Sequence, residues 1–207
     1  MLPIDRLAVN KCNSKASPRT RVHTNLLPDP PLGDPLTAAV VVLALNPSFD
    51  EDTAEEHKDP WQEHEFRIAM ATPEDFFWLR DDVAHTGGGR WWRNKLAPLI
   101  EATSVEAVRR HVAAGHLHQC HSKSSSPLLR PPSGRYNLEV IRKALGSGIP
   151  ALVLTGLPSW RVADSAFRDA PFYEPRSPQS MVVSPKNMPE GFPVAVNAVS
   201  TALRETD

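Results

Sequence analysis

The sequence lacks several features that would place it in a specialised class. It has only two cysteines, Cys12 and Cys120, which lie far apart in the chain and do not suggest a disulfide framework. No apolar run is long enough to cross a bilayer, and the first residues lack the apolar core of a secretory signal. We therefore expect a cytoplasmic protein that makes no membrane contact.

The chain also lacks a dominant charge. Its 23 Lys and Arg residues nearly balance its 24 Asp and Glu residues, giving a formal net charge of -1. No global positive field marks a nucleic-acid-binding protein, so any site for a polyanion must be a local patch. The length of 207 residues is sufficient for one domain with a sizeable core.

Proline is unusually frequent, with 21 residues. Residues 1–37 are rich in proline and interspersed with Lys and Arg, which predicts an irregular arm lying across the surface of the domain. Residues 38–207 form the remaining unit, and we find no internal repeat in it. The sequence therefore predicts an N-terminal arm followed by a single domain.

Helical and extended patterns alternate along residues 38–207. The run Val40–Ala44 is apolar on both alternating faces, which indicates a strand buried on both sides. This alternation predicts an α/β three-layer sandwich, with a central, mostly parallel sheet of four to five strands flanked by helices. The predicted strands are 38–45, 116–120, 151–155 and 180–184, and the predicted helices are near 60–70, 91–101, 104–114, 137–145, 159–168 and 193–203.

Three of the predicted strands end in polar turns. The first is followed by Asn46-Pro47-Ser48, the second leads into residues 119–123, and the last leads into residues 184–187. Ligands of open α/β sheets bind at the carboxyl ends of the strands. We therefore expect these turns to converge on one cleft.

In their order and placement these turns resemble motifs of the uracil-DNA glycosylase superfamily. Residues 44–48, Ala-Leu-Asn-Pro-Ser, resemble the water-positioning motif Gly-Ile-Asn-Pro-Gly of its mismatch-specific branch. Residues 184–186, Ser-Pro-Lys, resemble the His/Asn-Pro-Ser motif that precedes the loop inserted into DNA, with serine in place of the catalytic histidine. The base-reading asparagine of the middle strand has its nearest counterparts in Gln119 and His121.

The resemblance implies a divergent, monofunctional DNA glycosylase that flips an altered base out of DNA and hydrolyses its N-glycosidic bond. The base need not be uracil. Distant members of the superfamily include bacterial defence enzymes that remove bulky modified bases from phage DNA, which is consistent with the altered motifs. DNA is the expected partner, no metal or other cofactor is expected, and the protein is expected to act as a monomer.

The requirements of base excision suggest a role for each candidate residue, since the base must be extracted and held while water is oriented and the departing anion is stabilised. Asn46 would orient the water with help from Asp50, while His121, Lys123 or Lys186 would stabilise the departing base. An aromatic ring would stack on the base, and Met188 would enter the duplex as a wedge. The stacking candidates are Phe49, Trp61, Phe66 and Phe77. The other expected base or DNA contacts are Pro47, Ser48, Arg90, Arg93, Gln119, Ser122, Ser184 and Asn187.

Other interpretations of the same residues stay open. His116, His118 and Cys120 alternate on one strand face, which is compatible with zinc or with a buried structural role. The run Gly87-Gly88-Gly89 before cationic residues indicates either a phosphate-binding helix start or a solvated face. The whole chain is alternatively an inactive nucleic-acid or nucleotide-binding module, or an unrelated α/β hydrolase that uses a serine.

Overall fold

The sheet of this protein is parallel throughout. The computed structural model describes residues 1–49, 75–124, 131–177 and 179–206. The strands are β1 Val40–Ala44, β2 Val112–His116, β3 Ala151–Val153 and β4 Phe172–Tyr173. They are ordered β2-β1-β3-β4, and every neighbouring pair is parallel. The central strand is β1, with Val42 opposite Ala114 and Leu152.

Helices cover both faces of the sheet. Within the described ranges they are α1 Arg6–Asn13, α2 Gly87–Ala102, α3 Val105–His111, α4 Gly134–Gly146, α5 Leu157–Ala163 and α6 Gly191–Thr206. Short 3-10 helices occupy Pro3–Asp5, Phe77–Leu79, Asp81–Val83 and Ser165–Phe167. None of the helices in these ranges combines the length and apolarity needed to cross a membrane.

The two faces of β1 belong to different core layers. Val40 and Val42 pack in one cluster with residues of α2, α3 and α6. Val41 and Leu43 pack in the other cluster with residues of α4 and α5. The prediction of an α/β three-layer sandwich is therefore confirmed, because a strand that is apolar on both faces must be covered on both sides.

Several predicted elements agree with the structure. The run 38–45 contains β1, and 151–155 contains β3. Ser104 caps α3 as expected, since its side chain accepts a hydrogen bond from the Ala107 amide at 3.0 Å. The predicted helix 91–101 lies inside α2, which begins earlier, at Gly87, so the three glycines form its first turn. The predicted helix near 60–70 lies outside the described residues.

The second strand was predicted too late in the chain. We expected a helix to continue to residue 114 and a strand at 116–120, but α3 ends at His111 and β2 covers Val112–His116. Ala113, Ala114 and Gly115 have no strand preference of their own. They form a strand because β1 pairs with them and because Ile141 packs where a side chain on Gly115 would stand.

The expected strand 180–184 is also wrong, because no strand is assigned there and the edge strand is β4. Asn187 accounts for this difference. Its Nδ2 donates to the carbonyls of Ser180 and Val182, at 3.1 and 3.2 Å, and these are acceptors that a strand ladder would need. The segment is therefore folded as a turn around Asn187.

The helix boundaries differ at three further places. Asn137 was predicted to begin a helix, but it is buried inside α4 and its amide donates to the His116 carbonyl. The helix predicted at 159–168 is interrupted at Asp164, whose side chain caps the following 3-10 helix. The last helix, predicted to begin at Pro193, begins at Gly191.

Candidate active site at the carboxyl edge of the sheet

A cleft of about 310 Å³ lies where β1, β2 and β3 end. Its wall includes Ala44 at the end of β1 with residues 45–48 after it, His116 at the end of β2 with His121 after it, and Thr155 after β3. Thr155 joins two of these strand ends, because its Oγ1 accepts a hydrogen bond from the Leu45 amide at 2.8 Å. The predicted convergence of the first two turns on one cleft is confirmed.

Asn46 has a fixed side-chain orientation in this cleft. Its Nδ2 donates to the carbonyls of Pro47 and Ser122, at 2.9 and 3.0 Å, and approaches the Ser122 Oγ at 3.3 Å. Backbone carbonyls only accept, so these contacts determine which end of the amide carries the nitrogen. No described residue donates to Oδ1, and this atom is the acceptor that Asn46 can offer to a molecule in the cleft.

His121 and Asp29 form a buried pair beside Asn46. The His121 side chain is 5% exposed and the Asp29 side chain 5%. Nε2 of His121 lies 3.1 Å from the Asp29 carboxylate, and Nδ1 lies 3.2 Å from the Ser48 carbonyl. Both partners are acceptors, and an imidazolium, with a proton on each ring nitrogen, is the form of His121 that donates to both of them. His116 Nδ1 lies 4.0 Å from the other oxygen of Asp29.

Asp29 reaches the site because the arm runs along the edge of β2. Leu32 and Ala114 exchange two backbone hydrogen bonds, of 2.7 and 2.8 Å. The Asp29 amide then donates to the Gln119 carbonyl at 2.8 Å, and the His23 amide donates to the His121 carbonyl at 3.0 Å. The arm covers an edge that would otherwise expose unpaired backbone groups.

Tryptophans form the opposite wall of the cleft. Trp78, Trp91 and Trp92 all line it, and Trp91 is half-buried while the other two are buried. The ring of Trp78 lies against Gly88 at the start of α2, so closely that a Cβ on Gly88 would stand 2.8 Å from its atoms. Lys95 places its ammonium 5.5 Å from the centroid of the Trp91 ring. Such a wall suits the flat face of an aromatic ligand.

Five sequence-predicted site residues line the cleft. They are Asn46, Pro47, Ser48, His121 and Lys123. Ser122 is buried and contributes by holding the Asn46 amide, and its own Oγ donates to the Ser124 carbonyl at 2.9 Å. Asp50, Trp61 and Phe66 lie outside the described residues.

The predicted base-stacking residues Phe49 and Phe77 are not in the wall. Phe49 stacks on His23, with ring centroids 3.3 Å apart and planes 11° from parallel. Phe77 is 4% exposed and belongs to the core beneath Trp78. Local aromatic content predicted a stacking residue, but helix packing decided that Trp78 and Trp91 reach the cleft.

The predicted roles of residues 184–188 are mostly wrong. Met188 is 1% exposed and packs in the core, so it is not a wedge that could enter a duplex. Asn187 is buried and holds its own turn, with Oδ1 accepting from the Ser177 amide at 3.2 Å. Ser184 accepts from the Asn187 amide, whereas Lys186 is exposed, and neither lines the cleft. Met181 is the residue of this segment that does.

Two further predicted DNA contacts bind within the protein. Arg93 donates to the Leu79 carbonyl at 2.6 Å and to Asp81 at 3.0 Å, which ties the 3-10 segment to α2. Arg90 is exposed and donates to the His85 carbonyl. Gln119 is buried outside the cleft, and its Oε1 has no hydrogen-bond partner among the described residues.

The alternating residues His116, His118 and Cys120 do not form a metal-binding group with other described residues. No cluster of three or more His, Cys, Asp or Glu side chains suited to a metal occurs in the described part of the chain. Both cysteines are buried and neither forms a disulfide, and burial raises the pKa of Cys120 to about 12, which makes it unreactive. Metal independence of the protein stays a prediction.

Sequence reasoning missed Asp29, Trp78 and Trp91. Asp29 lies between Pro28 and Pro30 in the arm, a pattern that predicts extended chain but not where that chain docks. Trp91 lies in the predicted helix 91–101 and beside the glycine run, but it was not predicted as a stacking residue. For Trp91 a sequence signal was present, because it follows the glycine run by two residues. Trp78 is more distant in sequence, and its ring packs where Gly88 has no side chain.

The assembled cleft offers an oriented amide oxygen, an aromatic wall and the exposed cation Lys123 at its rim. These groups can hold a planar ring, orient a water molecule and stabilise developing negative charge. No family model matches this chain, and neither a curated protein nor a solved structure matches it significantly.

Proposed function

We propose that this protein is a DNA glycosylase that hydrolyses the N-glycosidic bond of an altered base. The observation that carries the proposal is the orientation of Asn46. Its nitrogen is held by two backbone carbonyls at the end of the central strand, which directs the amide's accepting capacity to Oδ1. That arrangement suits a group that must orient water without being a strong base.

The reaction divides the work among the residues of the cleft. The extruded base stacks against Trp78 and Trp91, and Asn46 Oδ1 accepts a hydrogen bond from the attacking water. As the N-glycosidic bond breaks, its electron pair leaves with the base and the sugar becomes oxocarbenium-like. Water oxygen bonds to the sugar carbon, its proton passes to solvent, and Lys123 stabilises the departing base anion.

His121 takes a different role from the one first expected. Both of its ring nitrogens bind within the protein, to Ser48 and Asp29. It therefore positions the turn that carries Asn46, while the Lys123 ammonium is the exposed cation at the rim. The predicted help from Asp50 stays part of the proposal, because that residue lies outside the described ranges.

The same proposal covers the substrate and the setting. The target is an altered base, and a bulky modified pyrimidine of phage DNA is the variant that fits the departures from the uracil motif. In this proposal the protein acts in anti-phage defence or in DNA repair in the cytoplasm. It acts as a monomer and uses no cofactor. A cleft of about 310 Å³ lies at the lower end of the range for ligand pockets.

An excision assay tests the proposal. Single-stranded and duplex DNAs that contain uracil, a mismatch or glucosylated hydroxymethylcytosine are incubated with the protein, and abasic sites are then cleaved. Asn46→Ala should fold and reduce single-turnover excision about a hundredfold or more, because it removes a group that acts in the transition state. Asn94→Ala changes an exposed asparagine on α2 and serves as the matched control. Wild-type excision by Asn46→Ala would refute the role of Asn46.

A second function is favoured by one observation. An enzyme that opens a duplex is expected to have an exposed wedge residue and a free cation for the phosphates. Met188, the predicted wedge, is buried, and Arg93, the predicted phosphate contact, binds Asp81 of the protein itself. A nucleotide-binding protein without catalytic activity would need neither a wedge residue nor a phosphate contact from Arg93. Stacking of a nucleotide on Trp91, seen as quenched tryptophan fluorescence, with no abasic product from any substrate above, would support this function over excision.

A serine hydrolase is not supported. The Ser122 hydroxyl donates to the Ser124 carbonyl and lies beside the Asn46 amide, and His121 directs both ring nitrogens elsewhere. No base among the described residues is placed to activate Ser122.

A further inference from the structure

The arm contains a cluster of positive charge in its sequence, and part of the arm borders the cleft. Residues 6–28 contain five cations and no Asp or Glu, although the whole chain has a formal charge of -1. These cations, which we call the basic strip, are Arg6, Lys11, Lys15, Arg19 and Arg21. All five are exposed. A strip of this kind on a neutral protein is the electrostatic signature of a polyanion site.

Among the described residues, the basic strip has no ion-pairing partner. None of its five side chains forms an ion pair with another described residue, whereas Arg93, Arg109 and Arg142 all do. The two acids that flank it in sequence are buried and occupied: Asp5 accepts from the Ser133 amide and hydroxyl, and Asp29 pairs with His121. The five charges of the strip are therefore exposed and are not compensated by an ion pair within the described part of the chain.

Part of the strip borders the mouth of the cleft. The Arg19 carbonyl accepts a hydrogen bond from the Ser124 amide at 2.9 Å, which brings the backbone of Arg19 next to Lys123. The His23 amide binds the His121 carbonyl, so Arg21 lies in the short segment between two contacts to the rim. Lys123 and Ser124 themselves line the cleft. A chain of phosphates could follow the strip while one base occupies the cleft.

We propose that the basic strip binds the phosphate backbone of the nucleic-acid strand whose base enters the cleft. This proposal rests on the proposed function for the cleft itself, and it assigns backbone binding to the arm, not to Arg93. An acidic lipid surface is the other polyanion to consider, since Ile4 and Leu7 are exposed near the strip. Nucleic acid is favoured because the segment of Arg19 and Arg21 borders a tryptophan-lined cleft, and because Val9 and Cys12 of α1 are buried against Val22 and Cys120 and so are not available to a lipid surface.

The salt dependence of binding tests this assignment. Fluorescence anisotropy with a labelled 20-nucleotide single strand and its duplex is measured at several salt concentrations for the wild type and for Arg19→Ala/Arg21→Ala. Each lost phosphate contact should flatten the log–log slope by about 0.7 on single-stranded and about 0.9 on duplex DNA. The double variant should therefore flatten the slope by roughly 1.4 to 1.8. A second double variant, Lys11→Ala/Lys15→Ala, should flatten it in the same direction.

Lys143→Ala/Arg204→Ala is the matched control, because it removes the same charge from the ends of α4 and α6. Equal slopes for this control and for both strip variants would overturn the proposal. So would strip-dependent binding to phosphatidylserine vesicles combined with strip-independent binding to oligonucleotides. Circular dichroism of each variant shows whether a loss of affinity reflects unfolding.

The outcome also separates this proposal from the proposed function. If DNA binding depends on salt and on the strip residues but no base is excised, the role of the basic strip is supported and the proposed glycosylase activity is refuted. If the wild type excises a base but the strip variants keep the wild-type salt dependence of DNA binding, the proposed glycosylase activity stands and the role of the basic strip is refuted. Asn46→Ala should keep the wild-type salt slope, because its side chain makes no phosphate contact in this arrangement.

Discussion

At the scale of single residues, His121 joins the arm to the turn that carries Asn46. Its ring links the Asp29 carboxylate to the Ser48 carbonyl, two residues after Asn46. Removal of one partner of a buried charge pair leaves the other charge without compensation. The pair of contacts made by His121 therefore stabilises the fold and also holds the turn that carries Asn46 in place.

Substitutions at Asp29 separate these two effects. Asp29→Ala should lower the free energy of unfolding by about 3–5 kcal/mol, because it leaves His121 buried without its counterion. Asp29→Asn should cost clearly less, since its amide can donate to Nε2 while a neutral His121 still donates to Ser48. Urea unfolding of the variants measures both losses of stability. Equal losses for Asp29→Ala and Asp29→Asn would contradict the role of the Asp29–His121 hydrogen bond.

His23 gives the arm a dependence on pH. Burial first, and then the charges of His121 and Lys123, lower the pKa of His23 below its usual value. Between this lowered pKa and about pH 6.5, the unfolded chain therefore binds more protons than the folded protein. The contribution of His23 to stability is complete above that pH and is lost as the pH falls towards its lowered pKa.

His23→Phe should keep the stack on Phe49 and remove this dependence. The difference in Tm between the variant and the wild type should therefore increase in favour of the variant from pH 8 to pH 5. His85→Gln, at an exposed histidine, is the control. A constant difference over this range would show that His23 does not titrate on unfolding.

At the scale of elements, the first turn of α2 shapes the tryptophan wall. Thr86 caps this helix by accepting from the Gly89 amide at 3.1 Å. A Cβ on Gly88 would meet the ring of Trp78, whereas a Cβ on Gly89 would meet the backbone carbonyl of Val83. The two adjacent glycines therefore face different constraints, one from a side chain of the cleft and one from the main chain.

Alanine at each position should give a different result. Gly89→Ala should destabilise the fold by about 1–3 kcal/mol, because a backbone carbonyl must move. In Gly88→Ala, the higher helix propensity of alanine should stabilise α2 by up to about 1 kcal/mol, which offsets part of the cost of the contact between the new Cβ and the Trp78 ring. The substitution should displace Trp78 and weaken nucleotide binding by up to about 1–3 kcal/mol, the value of one stacked base. Thermal unfolding and fluorescence titration distinguish the two variants, and unchanged nucleotide binding by Gly88→Ala would exclude Trp78 from the site.

At the scale of the whole molecule, the arm is packed as part of the domain. Val9, Cys12, Val22, Leu26 and Leu32 are all buried, and Leu32 belongs to the same core cluster as β1. Burial of a large aliphatic side chain stabilises a protein by about 1.5–3 kcal/mol. Several such side chains together approach the net stability of about 5–15 kcal/mol that a domain has.

A fragment of residues 38–207 should therefore fail to unfold cooperatively in urea, whereas the full chain should show one transition. Leu32→Ala in the full chain is the graded test, with an expected loss of about 2–5 kcal/mol. If the fragment unfolds cooperatively at the same urea concentration as the full chain, the arm is an independent addition and the boundary predicted at residue 38 is a true domain boundary.

The sequence by itself determined the features that depend on neighbouring residues. The apolar run of β1 requires cover on both faces, and the proline after Asn46 ends the strand where ligands bind. Ser104 caps its helix through an amide only three residues away. Such features were predictable because the interacting groups are close in the chain.

Only the tertiary structure decided the features that depend on distant residues. Ala113, Ala114 and Gly115 became a strand because β1 lies beside them, and Met188 became core because the segment around Asn187 turns inward. Asp29 entered the site through a contact 92 positions along the chain, to His121. Each of these outcomes was fixed by packing and hydrogen bonding between segments that are remote in sequence, and a local pattern contains no information about which remote segment will be its neighbour.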